Sequence, residues 1–351
     1  MKGRGSQNNP KNRFLTNEYA VEDSFLEFCY KEGENPDSNK TEVVEVFPKT
    51  MLNKVTSPDV GMAYSVNPYQ GCEHGCIYCY ARTTHEYWGY SAGLDFERKI
   101  MVKPDGHKIL IQELSRKSYK PDLVMLSGNT DCYQPIEKKL GLTRKLLEVF
   151  LELNHPVGII TKNSLILKDL DILDELNRRN LLRITLSITS LKEETRRVLE
   201  PRTSSVVNKL HTLKVLSDLK IPVNVNIAPI VPWINDYEIP ELIKTVAQLG
   251  AKSVVYILVR LNGPIGPMFE NWLQSHYPDR KEKVLNAIRE CREGKLGSSV
   301  FGERMKGNGT RAEYIDRMFK LYKTRFLPKS HSIKLNYDDF KPISKGQLNL
   351  F

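Results

Sequence analysis

Three features of the 351-residue sequence predict an α/β fold organised as a partial (β/α)6 barrel. Six short runs rich in β-forming residues recur from about residue 63, at 63–67, 123–127, 157–161, 183–189, 223–228 and 253–259. Amphipathic stretches separate them, and the alternation stops after residue 259. Strands alternating with helices build βαβ units on a parallel sheet. Six units suit a barrel that does not close, and pattern alone also admits eight strands or an open sheet. In each case the ligand site belongs at the C-terminal ends of the strands.

Residues 1–60 are polar and broken by Gly33, Pro36, Pro48 and Pro58, with one apolar cluster at 25–30. They read as an extension that wraps the main domain, which occupies 61–262. Helices are predicted at 136–153, 167–179, 206–219 and 239–249. In 206–219, Val206, Val207, Leu210, Leu213 and Leu216 follow helical spacing. After Val259 the chain is broken by Pro264, Gly266 and Pro267. Helices at 268–292 and 311–322 flank a Gly-rich stretch at 294–309, giving a helical extension over 263–325 and an extended tail over 326–351.

Hydrophobic content of 40% with 27% charged residues suits a soluble globular protein. No run reaches the roughly 20 apolar residues of a membrane helix. The N-terminus lacks the apolar core of a secretory signal. Six cysteines in such a chain form no disulfide framework, so a cytoplasmic location with reduced thiols is expected. The formal charge is +10, and residues 280–351 hold 17 Lys/Arg against 8 Asp/Glu. That excess suits a phosphate-rich partner, and equally a solvated basic surface.

The sharpest feature follows the first run: Cys72, Cys76 and Cys79 in a CxxxCxxC segment. Three thiolates in a loop reach three corners of one 4Fe-4S cubane and leave the fourth iron open to a substrate. If that substrate is S-adenosylmethionine, an electron entering its sulfonium yields methionine and a 5′-deoxyadenosyl radical. Two alternatives compete. His74 with the three cysteines makes a Cys3His zinc set, crowded at positions 72, 74 and 76. Cys76 and Cys79 alone make a redox pair that leaves Cys72 unexplained.

With an aromatic residue, Tyr78, before the third cysteine, the segment resembles the signature of the radical S-adenosylmethionine (radical SAM) superfamily. More closely, the chain resembles its spore photoproduct lyase-like, DNA repair photolyase-type group. The matching stretches are 67–72, 80–87, 127–137, 199–202 and 228–232, within a resemblance spanning about 1–325. It implies a radical SAM barrel, a 4Fe-4S cluster and S-adenosylmethionine.

Gly128, Asn129, Thr130 and Asp131 end the second run, where the superfamily usually carries a Gly-Gly-Glu-like stretch binding the methionyl amino group. This chain has no such Glu. By the resemblance Tyr78, Lys162, Ser187, Thr189 and Arg202 face the cofactor, Arg202 forking onto the methionyl carboxylate. Asn226, which shares a strand face with Asn224, reads as barrel interior against a ligand. Cys29 and Cys291 read as core cysteines. Cys132 adjoins the cofactor turn and is the candidate catalytic residue. The group's hydrogen-donating cysteine, however, stands just ahead of its Ser/Thr-Asp pair, where this chain has Gly128-Asn129. His74, His85, Tyr87, Trp88 and Tyr90 are expected to shield the cluster.

The leading function is radical repair or modification of DNA or RNA, with flavodoxin or ferredoxin as electron donor and no membrane association. Radical chemistry on a protein or small molecule is the second reading, and a non-catalytic redox-sensing module the third. The terminal Gln347, Leu348, Leu350 and Phe351 resemble a bacterial sliding-clamp-binding motif.

Overall fold

A computed structural model describes residues 3–15, 40–328 and 334–343. Its strands are β1 (Glu42–Glu45), β2 (Asn53–Lys54), β3 (Tyr64–Val66), β4 (Tyr69–Gln70) and β5 (Lys99–Val102). They continue with β6 (Val124–Leu126), β7 (Val157–Thr161), β8 (Leu182–Ser187), β9 (Val223–Ile230) and β10 (Ser253–Leu258). Seven form one sheet in the order β10-β9-β8-β7-β6-β3-β2. It is parallel from β3 to β10, and β2 joins β3 antiparallel. The six predicted strands are these six parallel strands, each beside its predecessor. The sheet ends on β10 and β2, so it is open, yet residues flanking both edges line one cavity. This is a partial barrel.

The strands form where the sequence buries one face under helices. In β9 the burial alternates, with Val223, Val225 and Ile227 in the main core and Asn224 and Asn226 on the opposite face. Leu213 and Leu216 of the helix Val206–Asp218, and Leu242, Ile243 and Val246 of the helix Ile239–Gln248, complete that core.

Two predicted helices are broken in the structure. Gly141 adopts φ +61° and splits 136–153 into Glu137–Leu140 and Leu142–Glu152. Tyr277 and the 3-10 turn Pro278–Arg280 split 268–292 into Ile265–His276 and Lys281–Glu290, because a proline cannot continue the hydrogen-bond ladder. A small second sheet, β1-β5-β4, was not expected from the sequence; its β1 pairs with residues more than fifty positions away.

At the N-terminal rim, residues 334–343 run across the sheet's underside. Asn336 N donates to Asn180 O at 2.9 Å and Lys341 N to Leu153 O at 2.9 Å. Gln347, Leu348, Leu350, Phe351 and Cys29 lie outside the described residues. No helix among the described residues is long and apolar enough to cross a membrane.

Candidate active site

The C-terminal strand ends frame a cavity of about 470 Å³, within the range of small-molecule sites. Cys72, Cys76 and Cys79 all line it, and none is in a disulfide. Cys72 N donates to Phe96 O, Ile77 N to Leu199 O and Cys79 N to Cys76 O, so the thiol loop is pinned along its length. Burial pushes all three thiols up from their ordinary pKa. Cys72 and Cys76 are buried and Cys79 half-buried; such thiols are stable as neutral groups and become ligands by releasing protons to a metal centre.

His74 does not join them. The carboxylate of Asp131, 3.4 Å from Nδ1, can only accept, while Asn163 Nδ2 donates to Nε2 at 3.1 Å, so both ring nitrogens are occupied. The Cys3His zinc set thus loses its fourth donor. Among the described residues no three His, Cys, Asp or Glu side chains form a single-ion site. A CxxC pair fails too, since Cys72 shares the cavity. The donor set that fits is three thiols around a larger cluster.

The loop is braced from behind by a fully buried pair, Arg82 and Glu97. Arg82 Nη2 meets Glu97 Oε1 at 2.5 Å, Nε donates to Cys76 O at 3.0 Å, and Nη1 reaches Ala92 O and Gly93 O. Glu97 also accepts from Gly5 N and Ser6 N, clamping the N-terminal segment over the thiol loop. The fit is close: a Cβ at Gly5 would stand 1.6 Å from Gly75 O.

After β6, Ser127 takes φ +70°, an unusual conformation for a serine, and its Oγ accepts from Cys132 N at 2.7 Å. Gly128 passes so close to β3 that a Cβ would meet Ser65 Cβ at 2.7 Å. Asn129 N donates to Asn67 Oδ1, and Thr130 Oγ1 to Tyr69 O. Asp131 accepts from Thr161 Oγ1, Lys162 N and Tyr133 N. Burial raises its pKa, but His74 and these donors outweigh that and hold it below the usual range. Gly128, Asn129, Thr130 and Asp131 all line the cavity, and Asp131 is tied to four neighbours.

Across the cavity, Glu200 is fully buried. It accepts from Tyr78 OH, Thr189 Oγ1 (2.5 Å) and Lys209 Nζ (2.6 Å), and pairs with Lys162 Nζ at 3.1 Å. Burial opposes its charge, yet Lys162 and Lys209 hold its carboxyl well below the usual range. Lys162, Tyr78, Ser187 and Asn226 line the cavity, and Ser187 stands beside Asn226 in the β8–β9 register. Asn226 Oδ1 is buried without a partner.

Three expected residues are elsewhere. Thr189 does not line the cavity; its Oγ1 donates to Glu200 Oε1 and Ala228 O. Arg202 does not line the cavity; its Nη2 donates to Glu73 Oε1 at 3.2 Å. Cys132 is fully buried in the main core, because the Ser127 turn carries the chain inward. Tyr87 and Trp88 face solvent and shield nothing, whereas His85 is buried against Tyr90 and Phe96, the latter packed on Cys72. Sequence reasoning missed Glu200, Lys209, Tyr80 and Arg260. A lysine at 209, buried within the apolar face of its helix, was the available signal.

A model of the Radical SAM superfamily matches residues 66–246, just over half of the chain. An uncharacterised protein of Mycobacterium tuberculosis is 30% identical over 248 residues, covering 70% of this chain and 73% of that protein. One of Methanocaldococcus jannaschii is 25% identical over 249 residues, covering 71% and 89%. Spore photoproduct lyase complexed with dinucleoside spore photoproduct aligns with a TM-score of 0.58 at 19% identity, over 82% of this chain and 80% of that one. A double mutant of that lyase with bound AdoMet and the same dinucleoside gives 0.60 at 16%, over 89% and 94%. At these identities the likeness is one of fold.

Proposed function

Since the chain belongs to the radical SAM superfamily, we propose that Cys72, Cys76 and Cys79 hold its 4Fe-4S cluster and that the cavity admits a nucleic-acid substrate. As a radical SAM enzyme it uses that cluster and S-adenosylmethionine. Bound there, the cluster would supply the one-electron reduction that cleaves the C5′–S bond of S-adenosylmethionine.

The chain's own residues prepare the site. The thiols release their protons on cluster binding, while Arg82 and Glu97 fix the loop. Lys162, backed by Glu200, presents an ammonium to the cofactor's carboxylate. Asn226 Oδ1 offers an acceptor beside Ser187. Asp131 and Tyr78 are positioning residues: the first holds the turn that carries Gly128, Asn129 and Thr130, and the second ties the thiol loop to Glu200. Reduced flavodoxin or ferredoxin fits as electron donor. The observation that carries the reading is the convergence of three free thiols and an unpartnered Asn226 oxygen on one cavity.

For the substrate, support comes from the fold shared along most of its length with a lyase complexed with dinucleoside spore photoproduct. Among the described residues no cysteine beyond the three lines the cavity, so repair ending on a thiol hydrogen donor such as Cys132 is not part of the proposal. Nor is a clamp contact, which rests on the terminal pattern alone. Anaerobically reconstituted, reduced protein should release 5′-deoxyadenosine faster with DNA or RNA than without. Release indifferent to both, but stimulated by a protein or small molecule, would reassign the substrate.

A further inference from the structure

The barrel's open seam lies between β10 and the β2–β3 edge, and Arg260 stands there two residues beyond β10. It lines the cavity and rests over the Tyr80 ring at 5.5 Å. Among the described residues its guanidinium meets that ring and makes no hydrogen bond or ion pair, Asp59 acting on it only through space. Arg304 lines the same wall, but its Nε pairs with Asp59 Oδ2 at 2.5 Å. Asp59 also accepts from Gly302 N at 2.8 Å. One carboxylate therefore serves two arginines and is committed to Arg304. Burial, and then Arg304, disfavour the charge on Arg260. A partly buried cation whose counter-ion is bonded to another arginine is costly, and an anionic ligand would offset the cost.

We propose that Arg260 binds a phosphate of the nucleic-acid substrate at the mouth of the cavity, with Tyr80 as the adjoining surface for a base. This rests on the nucleic-acid reading above. Two anions could reach the site's fork of donors: the carboxylate of S-adenosylmethionine and a phosphodiester. Lys162 already faces the cavity's interior near Ser187 and Asn226 and serves the first. Arg260 follows β10 at the seam, and Val55, Val60 and Met62 from the opposite edge line the same cavity. Beneath Arg260 the Tyr80 ring, 5.5 Å from the guanidinium, is 50% exposed and lines the same cavity. An exposed aromatic ring under a guanidinium that makes no hydrogen bond of its own is a pairing that stacks a base while holding its phosphate.

The test is fluorescence-anisotropy binding of a short labelled single-stranded DNA to the reconstituted enzyme, for wild type, Arg260→Gln and Arg260→Lys, across about 50–200 mM salt. Arg260→Gln should weaken binding about tenfold and flatten the salt slope by about 0.7, the value for one single-strand phosphate contact. Arg260→Lys should retain the slope but lose part of the affinity, since it keeps the charge without the fork. Iron content equal to wild type in both variants excludes misfolding. Wild-type affinity and slope in Arg260→Gln would overturn this inference and leave the nucleic-acid reading standing. Absence of DNA and RNA binding by wild type would overturn both. Weakened S-adenosylmethionine binding with unchanged DNA binding would assign Arg260 to the cofactor instead.

Discussion

At the N-terminal rim of the barrel His155 is fully buried, and both of its ring nitrogens have partners. Nδ1 donates to Pro156 O at 2.9 Å and Nε2 accepts from Tyr119 OH at 2.7 Å, with Phe340 packed edge-on at 5.2 Å. Beside the thiol loop His85 is just as buried, yet neither nitrogen is bonded. Among the described residues the other buried side-chain atoms without partners belong to Glu73, Arg196 and Asn226. Glu73 is in the thiol loop, Arg196 in the helix after β8, and Asn226 in the cavity wall. His155 is satisfied within the fold, whereas these groups are not, and one of them, Asn226, lines the cavity. Unmet polar groups lower stability and persist where a ligand or a geometry needs them.

The contrast can be broken most forcefully at Glu200. Glu200→Ala strands Lys162 and Lys209, whose side chains are 17% and 4% exposed. Loss of one member of a buried ion network costs about 3–5 kcal/mol. Urea unfolding should show that loss, and a change under 1 kcal/mol would mean water reaches the lysines.

Acid sharpens the comparison next. Burial lowers the pKa of both His85 and His155 from 6.5 to about 4. Between those values the unfolded chain binds protons that the folded chain does not. Stability is therefore complete above about pH 6.5 and falls toward pH 4, by about 1.4 kcal/mol per unit for each histidine. Urea midpoints from pH 7.5 to 4.5 will show the slope, and a flat profile would place either ring in water.

Tyr119→Phe removes one partner from the satisfied histidine and should cost about 1–3 kcal/mol. No effect would show that His155 is no better served than His85. The smallest effect is expected at Arg202. Arg202→Ala breaks a partly exposed pair with Glu73, worth about 1 kcal/mol or less. S-adenosylmethionine affinity, read by equilibrium dialysis, should stay at the wild-type value.

The six parallel strands were legible because each is a short apolar run whose residues pack into one core. The thiol motif was legible because its donors lie in one short segment, 72–79. Glu200 escaped because its network joins β7's end, the thiol loop and two helices. Its neighbour Arg202 drew the eye as a carboxylate fork, but the turn after the helix Glu193–Leu199 sends Glu200 inward and Arg202 to Glu73. Cys132 stood next to the right turn, and only the positive φ of Ser127 shows that the chain enters the core there.

The central claim is that the cavity carries a cluster on Cys72, Cys76 and Cys79 and cleaves S-adenosylmethionine. The direct measurement is iron, sulfide and product analysis of anaerobically reconstituted, dithionite-reduced protein. Wild type and Cys291→Ala should bind about four irons and four sulfides and form 5′-deoxyadenosine and methionine in equal amounts. Cys72→Ala, Cys76→Ala and Cys79→Ala should lose cluster and products together. Stoichiometric zinc in place of iron, or a Cys72→Ala variant that keeps both cluster and products, would contradict it.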